Sequence, residues 1–143
     1  MTSLMEPPRD RRYSPDHVWI DEEGYVGVTH HLASALGPID RVHLPEAGAT
    51  LRAAEAFGAL EGAKGIVDLY APCDARAIAI NELLSRDPEV IRRRSYGDGW
   101  LLRVSPEATV ALWDAATYAA RCGHGYRARR MSSPPRKPGE SDE

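Results

Sequence analysis

The chain has 143 residues and a mass of 15.7 kDa, with 43% hydrophobic and 27% charged residues and a formal net charge of −3. That size fits one domain with a modest core, and the near-neutral balance argues against a nucleic-acid surface or a disordered chain. No apolar run approaches the roughly 18 residues of a membrane span, and residues 1–12 lack the apolar segment of a secretory signal, so the expectation is a soluble cytoplasmic protein with no membrane partner.

Taken in order, residues 1–12 are polar and proline-bearing and read as an N-terminal tail. A folded domain over 13–123 then opens with strand-like runs at His17–Ile20 and Tyr25–Val28, joined by the turn residues Asp21–Gly24. Thr29–Leu36 predicts a short helix, with Thr29 as N-cap and Gly37 as stop. Further strand-like runs follow at Arg41–Leu44, Ala56–Leu60, Gly65–Tyr70, Ala75–Ile80 and Leu101–Val104, with Gly- and Pro-containing turns between them. Their alanines are unusual, since alanine is depleted in strands. Ser105–Arg121 predicts a C-terminal helix: Ser105 can cap, Pro106 suits the first turn, and Val110, Trp113, Thr117 and Ala120 recur at helical spacing before Gly123. From His124 onward the proline, serine and clustered charge of residues 124–143 read as a flexible tail. Short runs with turns at this spacing point to a sandwich or barrel-like β fold.

Most familiar chemical motifs fail on inspection. Gly58–Gly65 resembles a phosphate loop, yet Ala63 separates glycine from lysine and Gly65 stands where a Ser or Thr is required. His30 and His31 are adjacent, so on a helix they point to different faces. Cys122 and His124 fall short of the four ligands of a structural zinc site, and both pairs read as surface residues. Cys73 and Cys122 are too few for a disulfide framework, although a single bridge or redox couple stays open. No catalytic triad can be assembled.

One compositional asymmetry remains. The chain has 16 arginines and only two lysines, Lys64 and Lys137. An amine can shed its proton and form an amide, whereas a guanidinium stays a cation. Lys64 lies between two strand-like runs, flanked by Gly62 and Gly65, which places it at the apex of a tight hairpin. Glu61 and Asp68 frame that turn with negative charge. An exposed lysine at a hairpin tip is common by itself.

The motifs around Lys64 make it specific. Tyr13-Ser-Pro-Asp-His-Val-Trp19, Gly27-Val-Thr29, Leu36-Gly37 and Leu44-Pro-Glu-Ala-Gly48 occur in that order, followed by Phe57-Gly-Ala-Leu-Glu-Gly-Ala-Lys64, Asp68-Leu-Tyr-Ala-Pro72, Asn81-Glu-Leu-Leu84, Asp87-Pro-Glu-Val90 and Tyr96-Gly-Asp-Gly-Trp-Leu101. Over about residues 13–120 this pattern resembles the H protein of the glycine cleavage system. The resemblance implies a lipoyl-type barrel-sandwich hybrid of two small antiparallel sheets, with lipoate in amide linkage to Lys64 and Glu61 and Asp68 near the arm. It implies a non-catalytic carrier loaded by a lipoate ligase or lipoyl transferase and reoxidised by a dihydrolipoamide dehydrogenase-like flavoprotein.

Departures from the family pattern suggest a particular branch. The usual glutamate of His-Glu-Trp is Val18, which offers no acceptor to a cargo ammonium. The stretch before Tyr96 is Arg92-Arg-Arg-Ser95 in place of an acidic one, which would change docking partners. These differences favour an H-protein-like lipoate-binding protein of sulfur oxidation, working with a heterodisulfide-reductase-like complex. The alternative is an H protein serving the glycine cleavage enzymes. A non-lipoylated H-like interaction module is the third reading, and retention of Lys64 in a lysine-poor chain argues against it.

Overall fold

The structure, a computed structural model, describes residues 7–107 and 112–123. Nine strands and three α-helices are arranged among them: β1 (Arg11–Tyr13), β2 (Val18–Asp21), β3 (Tyr25–Val28), α1 (His30–Leu36), β4 (Ile39–His43), β5 (Thr50–Leu51), β6 (Ala56–Gly62), β7 (Gly65–Tyr70), β8 (Ala75–Ile80), α2 (Val90–Arg93), β9 (Leu102–Pro106) and α3 (Ala115–Gly123), with a 3-10 turn at Glu82–Ser85. The expected mainly-β class holds, with two antiparallel sheets and no closed barrel among the described residues. One sheet is six-stranded, in the order β1-β2-β3-β9-β8-β5, and the other is three-stranded, β4-β6-β7. No helix is long and apolar enough to cross a membrane among these residues.

Period-2 patterning explains why the alanine-rich β8 is a strand. Ala75 and Ala77 face inward and are buried, while Arg76 and Ile78 face out. Small inward residues let β8 sit close to the core, which contains Val18, Val28, Leu60, Leu69, Leu101 and Val104. A second cluster, Tyr13, Trp19, Ala115 and Tyr118, lies under α3.

Two sequence expectations need correction. Residues 11 and 12 are not tail: Arg11 and Arg12 pair with Asp21 and Ile20 in β1. Ser105 does not begin the C-terminal helix. Ser105 and Pro106 extend β9, opposite Arg76 and Ala75 of β8, because Leu102 and Val104 already commit that segment to an inward-outward alternation. Pro106 is tolerated as the last residue of its strand. The helix starts at Ala115, where the Asp114 carboxylate accepts the Thr117 N–H at 2.9 Å. Val110 and the tail at 124–143 lie outside the described residues. The expected α1 is present, with Thr29 capping the Leu32 N–H.

Candidate functional site

The β6–β7 hairpin carries Lys64 at its tip, and local backbone chemistry holds that tip in place. Gly62 and Gly65 face each other across the hairpin, leaving Ala63 and Lys64 as the two-residue turn. Neither turn residue has positive φ; Gly65 takes φ +132° instead and absorbs the twist. A side chain at position 62 would collide with the Pro38 carbonyl, its Cβ falling 2.5 Å from that oxygen. The same carbonyl accepts the Ala63 N–H at 2.9 Å, which ties the tip to the chain just after α1.

Lys64 itself is exposed, and no hydrogen bond or ion pair engages its amine among the described residues. Its aliphatic stem runs beside Gly37, where a Cβ would meet Lys64 Cε at 3.6 Å and Cδ at 3.8 Å. Gly37, read from the sequence only as a helix stop, thus borders the arm. An exposed amine with small neighbours fits amide linkage to a carboxylic acid, since an acylating enzyme could approach it.

Glu61 and Asp68 lie on the two strands that meet at the tip. Glu61 stands opposite Ile66 and Asp68 opposite Ala59, on the outward face of the small sheet, while the lysine stem leans toward Gly37. His43 Nε2 lies 3.0 Å from Glu61 Oε1 and restrains that carboxylate. Ile66, 45% exposed, extends the face beside the tip. The phosphate-loop reading is excluded by the hairpin itself, which has a strand where a helix would have to follow.

Both departures that suggested a sulfur-oxidation branch change meaning in three dimensions. Val18 is 0% exposed and packs in the main core, so its replacement of a carboxylate is a change of core packing rather than of the cargo surface. Two of the three arginines in the run are locally matched: Arg92 bonds Glu89 at 2.9 Å and Arg93 bonds Asp87 at 2.6 Å.

The sequence in 11–123 matches the glycine cleavage H-protein family model. The chain belongs to that family. It is 41% identical over 119 residues to a glycine cleavage system H protein of Beutenbergia cavernae, covering 81% of this chain and 96% of that one. A glycine cleavage system H protein of Deinococcus deserti is 39% identical over 118 residues, covering 82% and 98%. The crystal structure of such a protein from Mycobacterium marinum superposes with a TM-score of 0.78 at 38% identity, covering 82% of this chain and 99% of that one. H proteins are non-catalytic carriers of lipoate bound covalently to a lysine, and the expectation of a lipoyl carrier that is not itself an enzyme holds. These matches favour the glycine-cleavage alternative over the sulfur-oxidation branch and its heterodisulfide-reductase-like partner.

The cysteines form no bridge; both are free, Cys73 buried and Cys122 half-buried. Burial pushes both thiols up from their ordinary range. Reading Cys122 and the His30–His31 pair as surface residues was wrong in part. His30 does turn outward, with Nε2 2.7 Å from Ser34 Oγ. His31 instead stacks on the buried His17 ring at 4.7 Å, and Cys122 is brought beside both.

Proposed function

We propose that this chain is the carrier of a glycine cleavage system, with lipoate in amide linkage to Lys64. In this reading it accepts an aminomethyl group from glycine decarboxylase and presents it to aminomethyltransferase. A lipoate ligase or lipoyl transferase loads Lys64, and a dihydrolipoamide dehydrogenase-like flavoprotein restores the disulfide, all in the cytoplasm.

The observation that carries the proposal is the state of Lys64: an exposed amine at a braced hairpin tip, making no ion pair among the described residues. Amide formation abolishes the cation, and here no electrostatic partner is stranded by that loss. Arginine could supply the same charge but not the same bond, which accounts for a lysine at this position in a chain with 16 arginines. When bound, the group supplies two vicinal sulfurs for thioether and thiol–disulfide chemistry. The chain's own contribution is to fix the root: Pro38 holds Ala63, and Gly37 leaves room beside the stem. Asp68 lies four residues along β7, about 13 Å of extended chain, comparable to the roughly 10–15 Å span of the loaded side chain. In this reading Asp68 meets the cargo ammonium, whereas Glu61, restrained by His43, belongs to the face that a loading enzyme would read.

Intact mass after co-expression with a lipoylating system is expected to rise by about 188 Da, the increment of amide-linked lipoate on an amine. Lys64→Arg should show no increment. The loaded chain should then support glycine–bicarbonate exchange with glycine decarboxylase and aminomethyltransferase. Modification at another residue would end the assignment of Lys64, and a loaded chain inert in exchange would end the glycine-cleavage reading.

A further inference from the structure

Away from the hairpin, the hydroxyl of Tyr118 joins three segments that are remote in sequence. It lies 2.5 Å from His17 Nδ1 and 2.6 Å from Thr29 Oγ1, and Cys122 follows one turn further along α3. The His17 ring is 0% exposed, and the His31 ring stacks on it with centroids 4.7 Å apart. One donor atom from each of His17, His31 and Cys122 falls within 4.8 Å of the other two.

We propose that His17, His31 and Cys122 form a binding site for a divalent transition-metal ion of the borderline softness of zinc. Two imidazoles and one thiolate are the donor types such an ion prefers over magnesium or calcium, which take oxygen. Tetrahedral zinc with bonds of about 2.0–2.3 Å holds its ligand atoms roughly 3.3–3.6 Å apart. The trio must therefore contract by about 1 Å at its widest, and the half-buried side chains of His31 and Cys122 can move inward to do so. Three protein donors leave the fourth position to solvent.

Tyr118 strengthens the assignment. A metal-bound histidine characteristically engages its other ring nitrogen with an oxygen, which sets the tautomer and aims the ligating atom. The Tyr118 hydroxyl on Nδ1 does this for His17 and designates Nε2 as the ligand. On binding, the Cys122 thiol loses its proton to solvent and the thiolate sulfur forms the bond to the ion. His17 precedes β2, His31 lies in the first turn of α1 and Cys122 in the last turn of α3. A bound ion would therefore staple the C-terminal helix to the helix that ends beside Lys64.

The test is a titration of the full chain with cobalt(II), followed by displacement with zinc(II). The lipoyl group is kept in its disulfide form so that it offers no thiolate, and Lys64→Arg is run in parallel as a dithiol-free control. A single saturable site is expected, with tetrahedral visible bands and a thiolate-to-metal charge-transfer band, identical in Lys64→Arg. Cys122→Ser should abolish the charge-transfer band, and His31→Gln should weaken cobalt at least about tenfold, while Cys73→Ser leaves both unchanged. Should Cys122→Ser fail to fold, alkylation replaces it: zinc should slow modification of Cys122 in the native chain and not in His31→Gln. Absence of the bands from the native chain, their persistence in Cys122→Ser or their loss in Cys73→Ser overturns the site. So does Cys122 alkylation that zinc does not slow. Because Lys64→Arg cannot be lipoylated, the result stands apart from the carrier assignment.

Discussion

Val18→Glu restores the carboxylate usual at this position of the family and separates two accounts of its absence. If position 18 faced cargo, the carboxylate would sit in water at little cost. The structure places Val18 at 0% exposure among apolar neighbours, so the introduced carboxyl must be buried, and burial disfavours its charged form. Keeping it neutral at pH 7 against an unfolded pKa of about 4.3 costs about 1.36 × 2.7, or roughly 3.7 kcal/mol, and at pH 5 only about 1 kcal/mol. Overpacking adds about 1–3 kcal/mol at either pH. The sign follows from linkage: the folded-state pKa is raised, so the native state binds more protons and stability falls as pH rises from the unfolded pKa toward the folded one. Urea unfolding of Val18→Glu and the parent at pH 5 and pH 7 should show an extra loss of about 2.6 kcal/mol at the higher pH. A variant as stable as the parent at both pH values would show that side chains at position 18 reach solvent or a partner, and the cargo argument would return.

Gly37→Ala forces a Cβ onto φ +79°, ψ −159°, a region open essentially to glycine alone, at a cost of about 1–3 kcal/mol; urea unfolding should register this while intact mass still reports lipoylation, because the added methyl only touches the Lys64 stem. Burial pushes the Glu89 carboxyl up, but the Ile39 N–H and the Arg92 guanidinium outweigh it and hold the group below its usual range. The stability this provides is present above the unfolded glutamate pKa and lost as pH falls through the folded one, so Glu89→Gln should be less stable at pH 7 and lose less on acidification toward pH 3, read by acid titration of circular dichroism. Tyr118→Phe removes a hydroxyl shared by His17 and Thr29 and should cost about 1–3 kcal/mol in urea unfolding.

The hairpin was legible because its signals are local. Gly62 and Gly65 bracket two turn residues, and inward Val67 and Leu69 alternate with outward Ile66 and Asp68, so the lysine's place at the tip follows from period and turn chemistry. The C-terminal helix was misread because Ser105 and Pro106 have good capping chemistry in isolation; pairing with β8, some 30 residues earlier, overrides it. β5 is two residues long and carries no period. The Tyr118 cluster had no local signal, since Tyr118 is separated from His17 by 101 residues and from Thr29 by 89. Val18 misled for a related reason: a family comparison names the missing carboxylate, but only the core says which way position 18 points.

A carrier's root needs a different stiffness from its arm, and the fold supplies both within a few residues. The backbone at the tip is restrained by the hairpin ladder, by the Ala63–Pro38 hydrogen bond and by the close approach of Gly62 to the same carbonyl. The Lys64 side chain, by contrast, makes no hydrogen bond or ion pair among the described residues. That division confers an effective-concentration advantage, since a tethered cargo sweeps a volume set by side-chain reach rather than by a floppy loop. It also explains why Gly37 belongs to the site although it touches no cargo. A larger residue there would close the one direction in which the stem leans, while strain at its φ would loosen the connection that carries Pro38. The arm's freedom and the tip's rigidity thus depend on the same short segment, Leu36 to Pro38, and a substitution in it should disturb both together.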